Sequence, residues 1–79
     1  MNNGQSQVND TLLQMKYARV VSLLAERLDI SDDKALELFY MSDTYGYLSL
    51  KMYHLHNMSD AYIVDELVLE LQSKQMLPE

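Results

Sequence analysis

Residues 59–71, SDAYIVDELVLEL, decide the fold of this chain. Ser59 is a preferred N-cap residue, and the apolar residues after it recur at helical spacing, so the stretch predicts one capped, acidic helix. A wide arc of its apolar residues is predicted to face the core: Ala61, Ile63, Val64, Leu67, Val68 and Leu71. Further apolar residues lie outside this arc. A helix that buries one stripe needs a single neighbour, whereas this helix needs two.

A second apolar stripe lies on roughly the opposite side of the same predicted helix. Tyr62, Leu69 and Met76 occur at i, i+7 and i+14. An acidic rim accompanies them: Asp65, Glu66 and Glu70. Scattered apolar residues are normal on a protein surface, which is the simpler interpretation. We favour a protein contact, because contiguous apolar patches mark interfaces and an acidic rim steers a basic partner onto them.

The predicted first helix shows the same excess of apolar residues. One face of it is formed by residues at helical spacing: Leu13, Tyr17, Val20, Val21, Leu24 and Leu28. Leu12, Met15 and Leu23 intrude among the polar residues of the other face. A second buried surface is the interpretation that explains both helices. We therefore predict that these three residues bind a partner together with the outer stripe of the last helix and its neighbours Asp65 and Glu66.

The middle of the chain contains the signals of two shorter helices. Ser31 and Ser42 are N-cap residues ahead of apolar periodicity, whereas Gly46 weakens the third helix by about 1 kcal/mol relative to alanine and predicts that it is short, bent or frayed. Phe39, the only phenylalanine, is expected at the centre of the core. The pattern as a whole predicts an all-α fold, a compact bundle of four helices at about residues 11–28, 32–41, 44–53 and 60–74.

Composition limits the class of protein. The chain has 79 residues, no cysteine and a formal net charge of -6. We expect one helical domain over residues 10–79, preceded by a flexible, disordered tail at residues 1–9. The absence of cysteine excludes a disulfide framework, and the negative charge repels nucleic acid and anionic membranes while favouring a basic partner. No stretch is apolar enough for a membrane span or a signal peptide, so we expect a cytoplasmic protein.

Residues 24–31, LAERLDIS, resemble the first helix and turn of a helix-turn-helix. The resemblance implies that residues 31–41 enter the major groove of DNA. Asp29 stands where such turns commonly have glycine, and the positions that would read the bases are mostly acidic: Asp32, Asp33, Lys34 and Glu37. Base and phosphate contacts favour Arg, Lys, Asn and Gln. A DNA-binding regulator is therefore the less favoured alternative.

A broader pattern extends over residues 17–71. It comprises an L-x-x-x-x-x-I-S-x-x-x-A-L-x-L-F motif at residues 24–39, a Ser-x-x-Tyr element at Ser42 and Tyr45, and a Ser-x-x-Tyr-Ile-Val-x-Glu-Leu element that begins at Ser59. In these motifs the chain resembles a family of small uncharacterised bacterial all-helical proteins, some of which are encoded beside toxin-like or ADP-ribosyltransferase-like genes. The resemblance implies a neutralising, antitoxin-like or accessory role.

Candidates for chemistry are few. His54 and His56 form an H-x-H pair between Met52 and Met58, and imidazole is a common ligand of zinc, nickel and copper. Two ligands do not complete a site, so two polar histidines in an exposed connector are the simpler interpretation. The adjacent carboxylates of the chain lack the surroundings that acid–base catalysis needs. We therefore predict no catalytic residue, no metal site and no cofactor.

Six tyrosines favour a contact surface, because tyrosine supplies contact area with a polar end. Tyr47 and Tyr53 lie off the apolar face formed by Tyr45, Leu48 and Met52, so they are predicted to point outward. The sequence therefore predicts a non-catalytic protein–protein interaction module. Its partner would be another protein or a second copy of the chain in a homodimer.

Overall fold

Within residues 3–78, the bundle is built from four α-helices and one short 3-10 segment. The computed structural model describes residues 3–78, with side chains from residue 11 onward. The elements are α1 (Asn3–Leu28), α2 (Asp32–Tyr40), α3 (Asp43–Ser49), the 3-10 segment Met52–Asn57 and α4 (Asp60–Ser73). No described residue lies in a strand, so the predicted all-α bundle is confirmed. Within residues 3–78, no helix is long and apolar enough to cross a membrane.

Serine side chains start three of the helices. The Oγ atoms of Ser31, Ser42 and Ser59 each accept a hydrogen bond from the backbone N–H three residues further on, at 3.0 to 3.1 Å. Each bond satisfies an N–H group that the first helical turn leaves unpaired. Because these contacts are local, the sequence predicts the starts of α2, α3 and α4 to within one residue.

Helix α1 begins at Asn3 rather than at the predicted residue 11. The residues between Asn3 and Thr11 contain no proline, so nothing in them breaks the helical backbone that the core-packed part of α1 propagates. Residues 1 and 2 of the predicted tail lie outside the described residues, as do the side chains of residues 3–10. The flexibility of the tail stays a prediction.

Helix α3 ends at Ser49, which corrects the predicted end at residue 53. Lys51 adopts a left-handed conformation with a φ of 56°, and Tyr53 and His54 do the same at 59° and 55°. Residues 51–57, the 51–57 segment, thus bend sharply before α4 begins. A left-handed non-glycine residue costs about 1–2 kcal/mol, and no local pattern in the sequence announces it.

Phe39 lies at the centre of the core, as predicted, and is fully buried. Its ring centroid lies 5.5 Å from that of Tyr17 and 5.2 Å from that of Tyr45. Tilted and edge-on contacts of this kind are favourable between aromatic rings. Aliphatic residues from all four α-helices pack around them in one cluster that includes Val20, Leu24, Ala35, Leu48, Ile63, Val64 and Leu67.

The turn between α1 and α2 is closed by a left-handed residue. Asp29 has a φ of 55°, and the Ile30 N–H donates to the Ala25 carbonyl at 3.0 Å. This bond is typical of a helix C-cap whose left-handed position is usually glycine. Asp29 therefore takes the conformation that glycine supplies in the helix-turn-helix it resembles, and α2 packs back against α1.

Ion pairs order α1 against α4. Asp60, at the start of α4, accepts from Lys16 Nζ at 3.1 Å and from Arg19 Nε at 2.9 Å. Near the end of α1, Arg27 pairs with Asp65. The residue numbers rise together along both helices, so α1 and α4 cross in the same general direction. The 51–57 segment, which precedes α4, consequently lies beside the middle of α1.

The inner face of α4 is narrower than predicted. The buried row consists of Ile63, Val64, Leu67 and Leu71, all with no exposed surface. Val68 is half-buried and packs against the core cluster, as predicted, whereas Ala61 is exposed, which corrects the prediction that it faces the core. Successive helical residues are rotated by about 100°, so Ala61 lies outside the arc that the buried row spans.

Candidate protein-binding surface

The outer face of α4 carries two large apolar side chains. Tyr62 is 46% exposed and Leu69 is 59% exposed. They are two helical turns apart on one side of α4, and the buried row occupies the other side. Neither residue is needed to fill the core. Both of these sequence-predicted residues are therefore accessible to a partner.

Leu69 lies at a cleft between α3 and α4, beside Tyr47. This α3–α4 cleft has a volume of about 450 Å³, and Leu55 and Glu66 also line it. Tyr47 in turn contacts Tyr53, with ring centroids 5.4 Å apart. Both tyrosines are exposed, which confirms the prediction that they point outward. The outer face of α4 thus continues onto α3 and the 51–57 segment, a continuity that helical spacing alone does not reveal.

Glu70 caps α3 from the wall of the same cleft. Its carboxylate accepts hydrogen bonds from the backbone N–H of Asp43 at 2.7 Å, from the backbone N–H of Thr44 at 3.0 Å and from the Thr44 hydroxyl at 2.8 Å. Lys74 donates to Glu70 at 2.7 Å and to Asp43 at 3.0 Å. A carboxylate here satisfies N–H groups of the first turn and interacts favourably with the positive end of the helix dipole.

The protonation of Glu70 and Lys74 reflects these contacts. Burial raises the pKa of Glu70, but the hydrogen bonds from Lys74, the Asp43 N–H and Thr44 together outweigh burial and lower the pKa below its ordinary value. Hydrogen bonds to Glu70 and Asp43 raise the pKa of Lys74. Glu70 is therefore a charge that holds α3 in place, rather than the freely exposed member of an acidic rim.

The other two acidic residues of the predicted rim are placed differently. Asp65 is exposed and paired with Arg27 of α1. Glu66 is half-buried, lines the α3–α4 cleft and makes no hydrogen bond or ion pair with the described residues. Of the three predicted rim residues, Glu66 is therefore the one whose carboxylate lines the cleft without a partner among the described residues.

The predicted partner-binding residues of α1 do not join this surface. Leu12 and Met15 are exposed, but Leu12 lines a separate cleft together with Lys51 and His56. Leu23 is half-buried and packs against the core cluster. Leu23 therefore lies at the edge of the core. The other helices cover more of the circumference of α1 than the single predicted apolar stripe.

Met76 leaves the outer stripe because α4 ends before it. The helix ends at Ser73, and Gln75 is left-handed with a φ of 56°. The Met76 N–H then donates to the Leu71 carbonyl at 2.8 Å, and Met76 is half-buried. Helical spacing does not apply beyond this turn. The predicted stripe shortens to Tyr62 and Leu69.

Helix α2 presents an acidic surface, although the turn before it contains the left-handed residue Asp29. Asp32, Asp33 and Glu37 are exposed, and Lys34 lies 3.9 Å from the Glu37 carboxylate. An acidic helix is repelled by each phosphate that it approaches. This surface does not favour the alternative of a DNA-binding regulator.

The two histidines do not meet further ligands. His54 is exposed and His56 is half-buried. Among the described residues, no group of three or more His, Cys, Asp or Glu side chains is arranged to hold a metal ion. Nothing in the part of the chain that the structure describes therefore adds to the H-x-H pair.

Comparison with known proteins does not place the chain in a family. A scan against protein-family models found no match. A search of curated proteins and a search of solved structures found no match either. The resemblance to small bacterial helical proteins encoded beside toxin-like genes stays a prediction, and function has to be inferred from the surface of the molecule.

Proposed function

We propose that this chain is a non-catalytic protein-binding module whose partner covers the outer face of α4 and the α3–α4 cleft. The observation that carries the proposal is the exposure of Leu69 at a cleft shared with Tyr47, in a molecule whose core is complete without either residue. Fully burying one such side chain stabilises a complex by about 1.5–3 kcal/mol. A partner therefore gains binding free energy by burying this cleft.

The composition of the surface supports the same function. Tyr47 lines the cleft with Leu69 and contacts Tyr53, and the exposed Tyr62 lies two turns before Leu69 in α4. Tyrosine is enriched among the residues that dominate binding energy. The ion pair between Lys74 and Asp43 lies at the edge of the cleft. An apolar centre with a polar edge is the usual arrangement of a protein interface.

The charge of the chain favours a basic partner over a second copy. The formal net charge is -6, so two copies repel each other while a basic protein is attracted. An antitoxin-like or accessory subunit acts in this way, by covering a surface of another protein. Homodimerisation is the competing form of the proposal, and the oligomeric state of the isolated chain separates the two.

Light scattering over a range of concentrations measures that state directly. We expect the mass of a monomer throughout. A dimer that Leu69→Asp dissociates would identify a second copy as the occupant of the same surface. Because Leu69 is largely exposed, Leu69→Asp is expected to change the free energy of unfolding by no more than about 0.5 kcal/mol. Loss of helicity in this variant would show that Leu69 belongs to the core.

Site-specific photo-crosslinking in the native cell identifies the partner of a monomer. A photoreactive residue at Leu69 is expected to form one discrete adduct with a basic protein, and Tyr62→Asp in the same chain is expected to remove it. The matched control places the photoreactive residue at Leu50, which is 71% exposed but does not line the α3–α4 cleft. A monomer whose adducts from positions 69 and 50 are the same would refute the proposal.

A further inference from the structure

A second cleft, separate from the proposed protein-binding surface, lies between the middle of α1, residues 12–19, and the 51–57 segment. It has a volume of about 430 Å³ and is lined by Lys16 and Arg19 on one side and by Lys51 and His56 on the other. Leu13 supplies an apolar wall. We call this the basic cleft. Its volume is sufficient for a small anion with part of the group that bears it.

The basic cleft concentrates positive charge in an acidic protein. The chain has six Lys and Arg residues against twelve Asp and Glu. Lys16, Arg19 and Lys51 all line this one cleft, and among the side chains of residues 11–78 the carboxylate paired with them is that of Asp60, which Lys16 and Arg19 share. Within these described side chains, three cations against one anion leave a local excess of positive charge. Such an excess attracts anions, and more so within a cleft than on an open surface.

Each cation has a distinct position in the cleft. Lys16 is only 13% exposed, because its Nζ donates to the Met58 carbonyl at 2.7 Å and to Asp60 at 3.1 Å. Arg19 is 53% exposed and uses its Nε on Asp60, so the two terminal nitrogens of its guanidinium have no hydrogen bond to the described residues. Arg19 therefore has a planar pair of donors left for a ligand, which suits an oxyanion.

Lys51 is the cation best placed to contact a ligand. It is exposed, and alone among the Lys and Arg residues it forms no salt bridge with the described residues. Its left-handed backbone, with a φ of 56°, is unfavourable for lysine. Strained backbone concentrates at functional sites, where the surrounding structure maintains it.

His56 adds an unsatisfied polar atom at the wall of the basic cleft. Its Nδ1 is buried and makes no hydrogen bond with any described residue. Buried polar atoms without a partner are unfavourable and uncommon. A small rotation of the imidazole towards an oxygen atom in the cleft would satisfy one of the ring nitrogens.

We propose that the basic cleft binds an oxyanion, a phosphate or carboxylate group, through Arg19, Lys51 and His56. The largely buried Lys16 contributes positive charge at the base of the cleft. Arg19 and Lys51 donate charge-assisted hydrogen bonds to the anion oxygens from opposite walls. The proposal is independent of the protein-binding surface, because the two clefts share no lining residue.

Titration with inorganic phosphate at constant ionic strength, followed by NMR of the full chain, tests the proposal. We expect saturable shifts at Arg19, Lys51 and His56. Lys51→Met is expected to weaken binding about tenfold, since it removes a charge-assisted hydrogen bond. The control Lys34→Met removes the same charge from α2, outside the cleft, and is expected to change the affinity less than about twofold. Shifts that do not saturate, or equal weakening by both variants, would overturn the proposal.

Two further arms complete the experiment. A parallel titration with acetate distinguishes the source of the anion: tighter phosphate binding indicates a phosphate ester, whereas equal or tighter acetate binding indicates a carboxylate of a peptide or metabolite. Lys51→Gly removes the side chain and relieves the left-handed backbone, so it is expected to fold at least as well as the natural chain and still lose the binding. Undiminished binding by Lys51→Gly would show that Lys51 is not a ligand and would overturn the assignment.

Discussion

The two joints on either side of α3 are built in opposite ways. At the first joint, Ser42 accepts from the Tyr45 N–H and donates to the Phe39 carbonyl, while Glu70 binds the exposed N–H groups of the first turn. At the second joint, three non-glycine residues of the 51–57 segment adopt left-handed conformations, and no side chain caps the 3-10 segment. The first joint is therefore held by hydrogen bonds from side chains to the backbone, whereas the second contains strained backbone.

The strained joint supplies residues to both candidate binding sites. Segments whose local preferences agree with their tertiary contacts require no further explanation. A strained segment persists only because its surroundings maintain it, and strain of this kind clusters at binding sites. The strained 51–57 segment contributes residues to both clefts: Leu55 lines the α3–α4 cleft, and Lys51 and His56 line the basic cleft.

Glu70→Ala has the largest expected effect on stability, because it removes the hydrogen bonds that Glu70 accepts at the joint before α3. The variant removes a largely buried carboxylate that accepts hydrogen bonds from Asp43, Thr44 and Lys74. We expect the free energy of unfolding to fall by about 2 kcal/mol, as measured by urea denaturation. The control Glu66→Ala removes a carboxylate one turn earlier in α4 and is expected to change it by about 0.5 kcal/mol or less. Equal losses would mean that Glu70 does not hold the joint.

The pH dependence of stability tests the same role of the Glu70 carboxylate. The pKa values of Asp60 and Glu70 are lowered in the folded chain, so each group stabilises the fold above its ordinary pKa and loses this contribution as the pH falls through the folded value. We expect the free energy of unfolding to decrease below about pH 4. Glu70→Gln is expected to flatten that decrease.

The contribution of Lys74 to the free energy of unfolding changes with pH in the opposite direction. The pKa of Lys74 is raised in the folded chain, so its contribution is present below the ordinary lysine value and is lost as the pH rises through the folded value, above about pH 10. Chemical denaturation at a series of pH values measures the decrease in the free energy of unfolding at both acid and alkaline pH.

An acid decrease that is equally steep in Glu70→Gln and in the natural chain would contradict the role of Glu70.

Lys51→Gly has the smallest expected effect on stability and tests the strained joint. Glycine adopts left-handed backbone readily, so we expect the free energy of unfolding to rise by about 0.5–1 kcal/mol after the entropy of the unfolded glycine is counted. The matched control, Lys34→Gly in α2, is expected to lower it by about 1 kcal/mol. The two variants must differ in sign in urea denaturation; a loss of stability in both would show that residue 51 is not strained.

Much of the fold was predictable because its determinants are local. Ser31, Ser42 and Ser59 announce helix starts through bonds that reach only three residues along the chain. Phe39 was predictable as the centre of the core from its apolar surroundings. The end of α3 was not, because three left-handed non-glycine residues contradict every local preference.

The candidate surface was predictable only in part. Tyr62 and Leu69 follow from helical periodicity, and both are exposed as expected. Leu23 could not be assigned, because the width of the enclosed arc of α1 depends on which helices surround it. Glu70 has the same appearance in the sequence as Glu66, and only the approach of α3 distinguishes a capping carboxylate from an unpaired one.

Three properties of this chain follow from its sequence: its acidic all-helical character, the positions where its serine-capped helices begin, and the aromatic residue that occupies the core. Those properties depend on composition, on periodicity and on contacts between residues a few positions apart. The packing of the helices sets three further features: Leu69 and Tyr47 line one cleft, Glu70 caps α3, and Arg19, Lys51 and His56 line another cleft. Each of these joins residues from different elements, and the distances between such residues depend on how the helices cross rather than on their spacing along the chain.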